Sequence, residues 1–355
     1  MAHGRAMIPH NRPLITAEDR AAVDAVLDSG WVAQGPQVKA LEEAFARQYG
    51  GGACAVSSGT AALFLALRAL EVGPGAKVAV PSYACSALLN AIYMAGATPN
   101  VVDVLPDSFC IDPASLLRRA ADADSVIAVH TYGAAADVVA LRQDGRKIVE
   151  DCCHALGGST DFGLLGATGD AAVFSFYATK IITGGQGGLV WSAAGALIEA
   201  VRDYREFDCR DSYVPRFNLQ MTDIQAALVD SQLKRLEAIR ARRKEIARAY
   251  LAALPGGLAV QSGLDDAQRM AYRFVVRTPD QEIRDALHRH MEHAGVGCAV
   301  PIERYELLHR YLKLDPAEFP VAEKLADTTL SLPIHSALNN AQLAQVVDAI
   351  SRFRP

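Results

Sequence analysis

From about Ala53 to Trp191, short runs of apolar residues with no polar alternation take turns with helical patterns. The strand candidates are Lys77–Val80, Pro99–Val104, Val126–Val129, Lys147–Glu150, Ala171–Phe176 and Gly188–Trp191. Helical patterns such as Thr60–Leu70 and Tyr83–Gly96 lie between several of them. A strand that is apolar on both faces has to be covered on both faces. This order therefore predicts an α/β fold with a buried, mostly parallel central sheet between helices. An opening helix is expected with Thr16 as N-cap and Glu18 and Asp19 in its first turn. Past Asp223 a long helical stretch runs through Ala226, Leu233, Leu236, Ile239 and Ile246 to Tyr250, where Leu254-Pro255-Gly256-Gly257 breaks it. The remainder, with a strand at Tyr272–Arg277 and amphipathic helices, reads as a smaller C-terminal α+β domain. The expected division is 1–240 and 241–355.

Composition narrows the function classes. The formal net charge is −5 with no basic cluster, which argues against a nucleic-acid partner. The run Arg240 to Lys244 falls in a helical pattern and reads as a solvated face. No apolar run reaches the roughly 18 residues that cross a bilayer, and Met1 to Met7 lack the apolar segment of a signal peptide. The seven cysteines are odd in number and include no CxxC pair, which suits a reducing cytoplasm and argues against a disulfide framework.

In open parallel sheets, function gathers at the carboxyl ends of strands. Ser57-Ser58-Gly59-Thr60 leads into a helix, where glycine permits close backbone approach and the helix N-terminus offers free N–H groups to a phosphate. An ordinary helix cap reads the same way. Asp151 follows a strand, so its carboxylate either holds a protonated pyridine nitrogen in the crevice or caps the next turn. His154, three residues on, faces the same cavity or is a satisfied core histidine. Lys180 closes Ser175-Phe176-Tyr177-Ala178-Thr179-Lys180 after an apolar strand. Such a lysine either reaches solvent from a loop or is desolvated with a lowered pKa, as Schiff-base formation requires.

Taken together these segments resemble the sugar aminotransferases of the DegT/DnrJ/EryC1/StrS family, within the fold-type I pyridoxal-phosphate (PLP) transferases. The matching segments are Ser29 to Pro36, Ser58 to Leu63, Val80-Pro81-Ser82-Tyr83, Glu150-Asp151-Cys152-Cys153-His154-Ala155, Phe174 to Lys180, Gly187-Gly188, and Asn218 to Ala227. They run collinearly over residues 10 to about 250. The resemblance implies a large PLP-binding domain at 1–240, with Lys180 as the Schiff-base lysine and Asp151 as the pyridine-nitrogen partner. His154 would lie near the cofactor's phenolic oxygen. Ser175 and the backbone of Gly59, Thr60 and Ala61 would cradle the phosphate. Asn218 would reach the phosphate of a neighbouring subunit, which implies a homodimer with shared active sites. The implied reaction moves an amino group from glutamate or glutamine to a keto sugar, nucleotide-linked in this family, in the cytoplasm.

The chain departs from the family pattern in its substrate region. Cys85 stands where a stacking aromatic is common, Gln186 where a Glu is frequent, and Gln220 where a basic residue is usual. Ile302-Glu303-Arg304-Tyr305 follows Pro301 without the usual histidine. Cys85 either packs on the cofactor ring, with Tyr83 on the same side if the segment is extended, or lies on a shifted loop that never meets the cofactor. A ketocyclitol remains an alternative acceptor. A sugar dehydratase is disfavoured because such relatives replace the lysine, and a non-catalytic PLP-binding regulator finds no added domain in support. The glycine-rich stretches Gly163-Leu164-Leu165-Gly166 and Gly184 to Gly188 form no dinucleotide or P-loop signature. His288, His290 and His293 suggest a metal only weakly, since just two of them share a helix face; no metal is expected.

Overall fold

The apolar runs form one seven-stranded sheet in a computed structural model that describes residues 7–142 and 145–354. Residues 1–6, where the sequence predicts no leader, lie outside the described residues. The strand order is Gly52–Val56, Gly188–Ser192, Ala171–Ser175, Lys147–Asp151, Ser125–Val129, Lys77–Pro81, Thr98–Val102. From Ala171–Ser175 to Thr98–Val102 all neighbours are parallel. Gly188–Ser192 runs antiparallel to both of its neighbours. The sheet is therefore mostly parallel, as the unalternated runs require.

Gly52–Val56 was not among the expected strands. Its Gly-Ala-Cys-Ala stretch has little β-propensity, and side chains from elsewhere complete its outer edge. Glu42 Oε1 accepts the Ala55 N–H at 2.9 Å, and Arg205 Nη1 donates to the Ala55 carbonyl at 2.7 Å. Arg205 also pairs with Glu42 at 2.7 Å. The charged pair thus closes an open sheet edge.

Helix Gly59–Ala69 is buried all round from Ala61 to Leu67, as expected of a helix pressed onto the sheet inside the core. The next helix spans Ala87–Ala95, beginning later than Tyr83, because Ser82 to Ser86 form a loop over the sheet's end. The opening helix is Ala17–Ser29. Asp19 Oδ2 accepts the Thr16 N–H at 2.8 Å, and Arg235 Nη2 grips the same carboxylate at 2.7 Å. That ion pair stands at the junction where the expected single helix divides into Asp223–Leu233 and Leu236–Ala253.

A three-stranded antiparallel sheet, Ala259–Val260, Phe274–Arg277 and Thr329–Leu332, carries a second core around Tyr250, Phe274, Leu330 and Val346. Ile8 joins this second core, whereas Ile302, Leu307, Leu308 and Phe319 pack on the first. The segment after Pro301 thereby reaches over the large sheet's carboxyl end. Among the described residues no helix is long and apolar enough to cross a membrane.

Candidate active site

At that end of the sheet opens a cavity of about 420 Å³. Its wall includes Gly59, Thr60, Cys85, Asp151, His154, Ser175 and Lys180, brought together from four separate stretches of chain. Ala61 is buried beside it, and its N–H is taken by Ser58 Oγ at 3.1 Å. Asn218 is exposed and lies off this wall.

The start of helix Gly59–Ala69 presses against the end of strand Ala171–Ser175. A Cβ on Gly59 would sit 2.8 Å from Ser175 Cβ and 3.1 Å from Ser175 Oγ. Glycine is therefore required for close approach here, and a helix N-terminus and a serine hydroxyl face the same recess. That is an anion cradle by chemistry and by shape.

Asp151 ends strand Lys147–Asp151 and is 6% exposed. Its Oδ1 accepts the Cys153 N–H at 2.9 Å, so it caps the following turn while also lining the cavity. Beneath it, His130 donates its backbone N–H to the Asp151 carbonyl at 3.1 Å. His130 Nδ1 accepts the Ala136 N–H at 3.1 Å, which leaves Nε2 to donate to Glu150 Oε2 at 2.8 Å. Burial pushes the Glu150 carboxyl up, but His130 and the N–H groups of Gly169 and Thr168 outweigh it and hold it below its ordinary value. The floor of the site is thus a satisfied polar network.

Lys180 corrects an expectation. Burial pulls its ammonium down, yet Tyr272, Cys153 and Asp151 together outweigh burial, and the net shift is upward, not the lowering expected for a desolvated lysine. Its Nζ lies 5.5 Å from the Tyr272 ring centroid. His154 stacks on the same ring at 4.3 Å and 11°, with Tyr132 5.5 Å away on its own account. Burial, then Lys180 and Arg273, hold the His154 imidazole well below its ordinary pKa, so it is neutral. Its Nδ1 has no partner among the described residues.

Cys85 is exposed at the mouth of the cavity. The segment around it is not extended, and Tyr83 is wholly buried with its hydroxyl 3.0 Å from Thr329 Oγ1. The extended segment that would set Tyr83 and Cys85 on the same side is therefore absent, although both residues line the cavity. Tyr132, Tyr272, Arg273 and Glu306 also line the cavity and were not singled out from sequence. The signal that was available for Arg273 is its place at the start of an apolar run, where a charge is costly to bury. Among the described residues no group of three or more His, Cys, Asp or Glu could hold a metal ion. His290 instead bonds the Ala349 carbonyl at 2.9 Å.

A cradle closed to any side chain, an amine, a carboxylate at a strand end and a neutral imidazole form a set that fits pyridoxal phosphate. Comparison with known proteins agrees. The model of the DegT/DnrJ/EryC1/StrS aminotransferase family matches residues 13–351. The chain belongs to that family. Similar solved structures include the aminotransferase TlmJ from Streptoalloteichus hindustanus, 31% identical over 98% of each chain with a TM-score of 0.88. S. venezuelae DesV, solved in complex with a ketimine intermediate, is 32% identical over 97% of this chain and 98% of its own, with a TM-score of 0.87. Sugar aminotransferase CalS13 from Micromonospora echinospora is 25% identical over 97% and 99%, with a TM-score of 0.86. As a member of the DegT/DnrJ/EryC1/StrS family, this chain is a PLP-dependent aminotransferase with the fold-type I architecture.

Proposed function

We propose that this aminotransferase moves an amino group from glutamate or glutamine to a keto sugar carried on a nucleotide. The observation that carries the reading is one cavity whose wall holds both Lys180 and Asp151, with the Gly59–Ser175 cradle beside them and Cys85 exposed at the mouth. The names of CalS13 and the family's sugar aminotransferases support a sugar acceptor. Bound pyridoxal phosphate supplies a protonated ring that withdraws electrons from the substrate carbon. Asp151 would hold the ring nitrogen, His154 would lie at the phenolic oxygen, and Ser175 with the Gly59–Thr60 backbone would hold the phosphate. Lys180 would anchor the cofactor at rest. Once freed, Lys180 Nζ would carry the proton from the donor α-carbon to the cofactor, and in the second half-reaction would carry a proton from the cofactor to the acceptor carbon.

The same reading makes the enzyme a cytoplasmic homodimer with Asn218 serving the partner's phosphate. Asn218 is exposed away from its own chain's cavity, and exposed Phe207, Tyr213 and Trp31 offer apolar surface for a second copy. The free cysteines suit a reducing compartment. A screen of nucleotide-linked keto sugars against the pyridoxamine form tests the acceptor, read by loss of that form's absorbance. Reaction with a free ketocyclitol and with no nucleotide-linked sugar would overturn the acceptor assignment.

A further inference from the structure

Arg273 is the single guanidinium on the described wall of the cavity. Its Cζ lies 5.4 Å from the Tyr132 ring centroid and 5.9 Å from that of Tyr272. Its polar partners within the chain are neutral and distant: Nη1 is 3.3 Å from Ser331 Oγ and 3.4 Å from His10 Nε2. Nε is buried without a partner among the described residues. Asp151 and Glu306 are the carboxylates on the same wall, and among the described residues neither forms an ion pair with Arg273. Burial, then Arg273 and His335, bring His10 down to about 4, so His10 stays a neutral acceptor and adds no charge of its own.

A half-buried guanidinium that faces a cavity and has no anion of its own among the described residues can take one from a ligand. The arrangement is also held in place at a cost. Tyr132, whose ring flanks Arg273, adopts a left-handed backbone conformation with φ 54° and ψ 26°, a strained state for a residue with a side chain. One aromatic ring spaces the guanidinium from the reacting amine, since Tyr272 is 5.5 Å from Lys180 Nζ and 5.9 Å from Arg273 Cζ. An α-amino acid needs this pairing: a carboxylate site within reach of the place where its α-carbon loses a proton.

We propose that Arg273 binds the carboxylate of the amino-acid donor and so directs the donor's Cα–H toward Lys180. The inference rests on the proposed function and adds the group that selects the donor. The planar fork of Arg matches a carboxylate with two parallel hydrogen bonds. Discrimination between an α-amino acid and the corresponding simple amine then resides in Arg273. A carboxylate carried by the acceptor sugar would present the same chemistry, and the two half-reactions tell the sources apart.

The test uses the PLP-loaded enzyme and the variants Arg273→Met and Arg273→Lys. Rapid mixing with glutamate reads the donor half-reaction, and mixing the pyridoxamine form with its keto sugar reads the acceptor half-reaction. Calorimetry with glutarate, a dicarboxylate without an amine, reads carboxylate binding apart from turnover. Arg273→Met is expected to raise half-saturating glutamate roughly 10- to 100-fold, as befits loss of a charged hydrogen-bonded pair. It is also expected to abolish glutarate binding while leaving the cofactor spectrum and the acceptor half-reaction unchanged. Arg273→Lys, which keeps the charge without the fork, is expected to recover part of the loss, and it decides the matter if the Met variant does not hold cofactor. Unchanged glutamate and glutarate affinities in both variants would overturn the assignment, as would a defect confined to the acceptor half-reaction. A wild-type enzyme that binds glutarate through Arg273 yet is converted by no α-amino acid would sink the proposed function and, with it, the donor role.

Discussion

Substituting Gly59 by Ala tests the phosphate cradle at its narrowest point. The added Cβ would meet Ser175 Cβ at 2.8 Å, Ser175 Oγ at 3.1 Å and Cys153 Sγ at 3.4 Å. Ser175 cannot easily retreat, because it ends a strand and pairs with Gly188 across the sheet. Two effects compete. Alanine favours a helix over glycine by at most about 1 kcal/mol, whereas forcing a methyl group into packed surroundings costs about 1–3 kcal/mol. The expected balance is a loss of about 1–2 kcal/mol in the absence of cofactor. A larger loss is expected with cofactor present, because a helix start pushed off the strand no longer aligns its N–H groups on a phosphate. If the cofactor's Kd rises about 30-fold, the stabilisation it confers falls by about 2 kcal/mol. Denaturant unfolding with and without pyridoxal phosphate measures both quantities, and a spectrophotometric titration measures the affinity directly. The double variant Gly59→Ala, Ser175→Gly removes the clashing atoms and should recover stability in the absence of cofactor, without recovering affinity, since the serine hydroxyl is gone. A Gly59→Ala enzyme with unchanged affinity and stability would refute both the packing argument and the placing of the phosphate here.

Lys180→Ala should fold and bind pyridoxal phosphate non-covalently while losing the Schiff-base absorbance and all turnover; borohydride trapping that maps the cofactor to another lysine would overturn the assignment. Asp151→Asn keeps the shape, including the acceptor for the Cys153 N–H, but removes the charge on the ring nitrogen. It should slow turnover on the order of 10²-fold, equivalent to about 3 kcal/mol, and near-normal rates would leave Asp151 as a cap alone. Mixing Lys180→Ala chains with chains disrupted at Asn218 should restore some activity through hybrid dimers that hold one intact site, and an active monomer in sedimentation would exclude a shared site.

The parallel sheet was legible in the order of residues because a strand buried on both faces must be apolar on both, a property written locally along the chain. Lys180 and Asp151 were legible for a related reason: charges placed at the ends of apolar strands are costly unless they are used. The family's segments joined them to Ser175 and the Gly59 turn. Other features depended on what the fold brings alongside. Gly52–Val56 is a strand because Glu42 and Arg205, one before it and one some 150 residues after it, satisfy its edge. Tyr83 is fixed in the buried wall of the cavity because Thr329, far along the chain, offers its hydroxyl a partner. The upward shift at Lys180 reverses what burial alone would do, because Tyr272 and Asp151 arrive from distant parts of the chain to favour its charge. Arg273 shows no motif, and its guanidinium, with no anionic partner among the described residues, became visible only once Tyr132, Tyr272 and Lys180 stood around it. Burial periodicity is a short-range property of a chain, whereas the sign of a pKa shift and the partner of a buried charge are sums over neighbours that tertiary packing alone assembles.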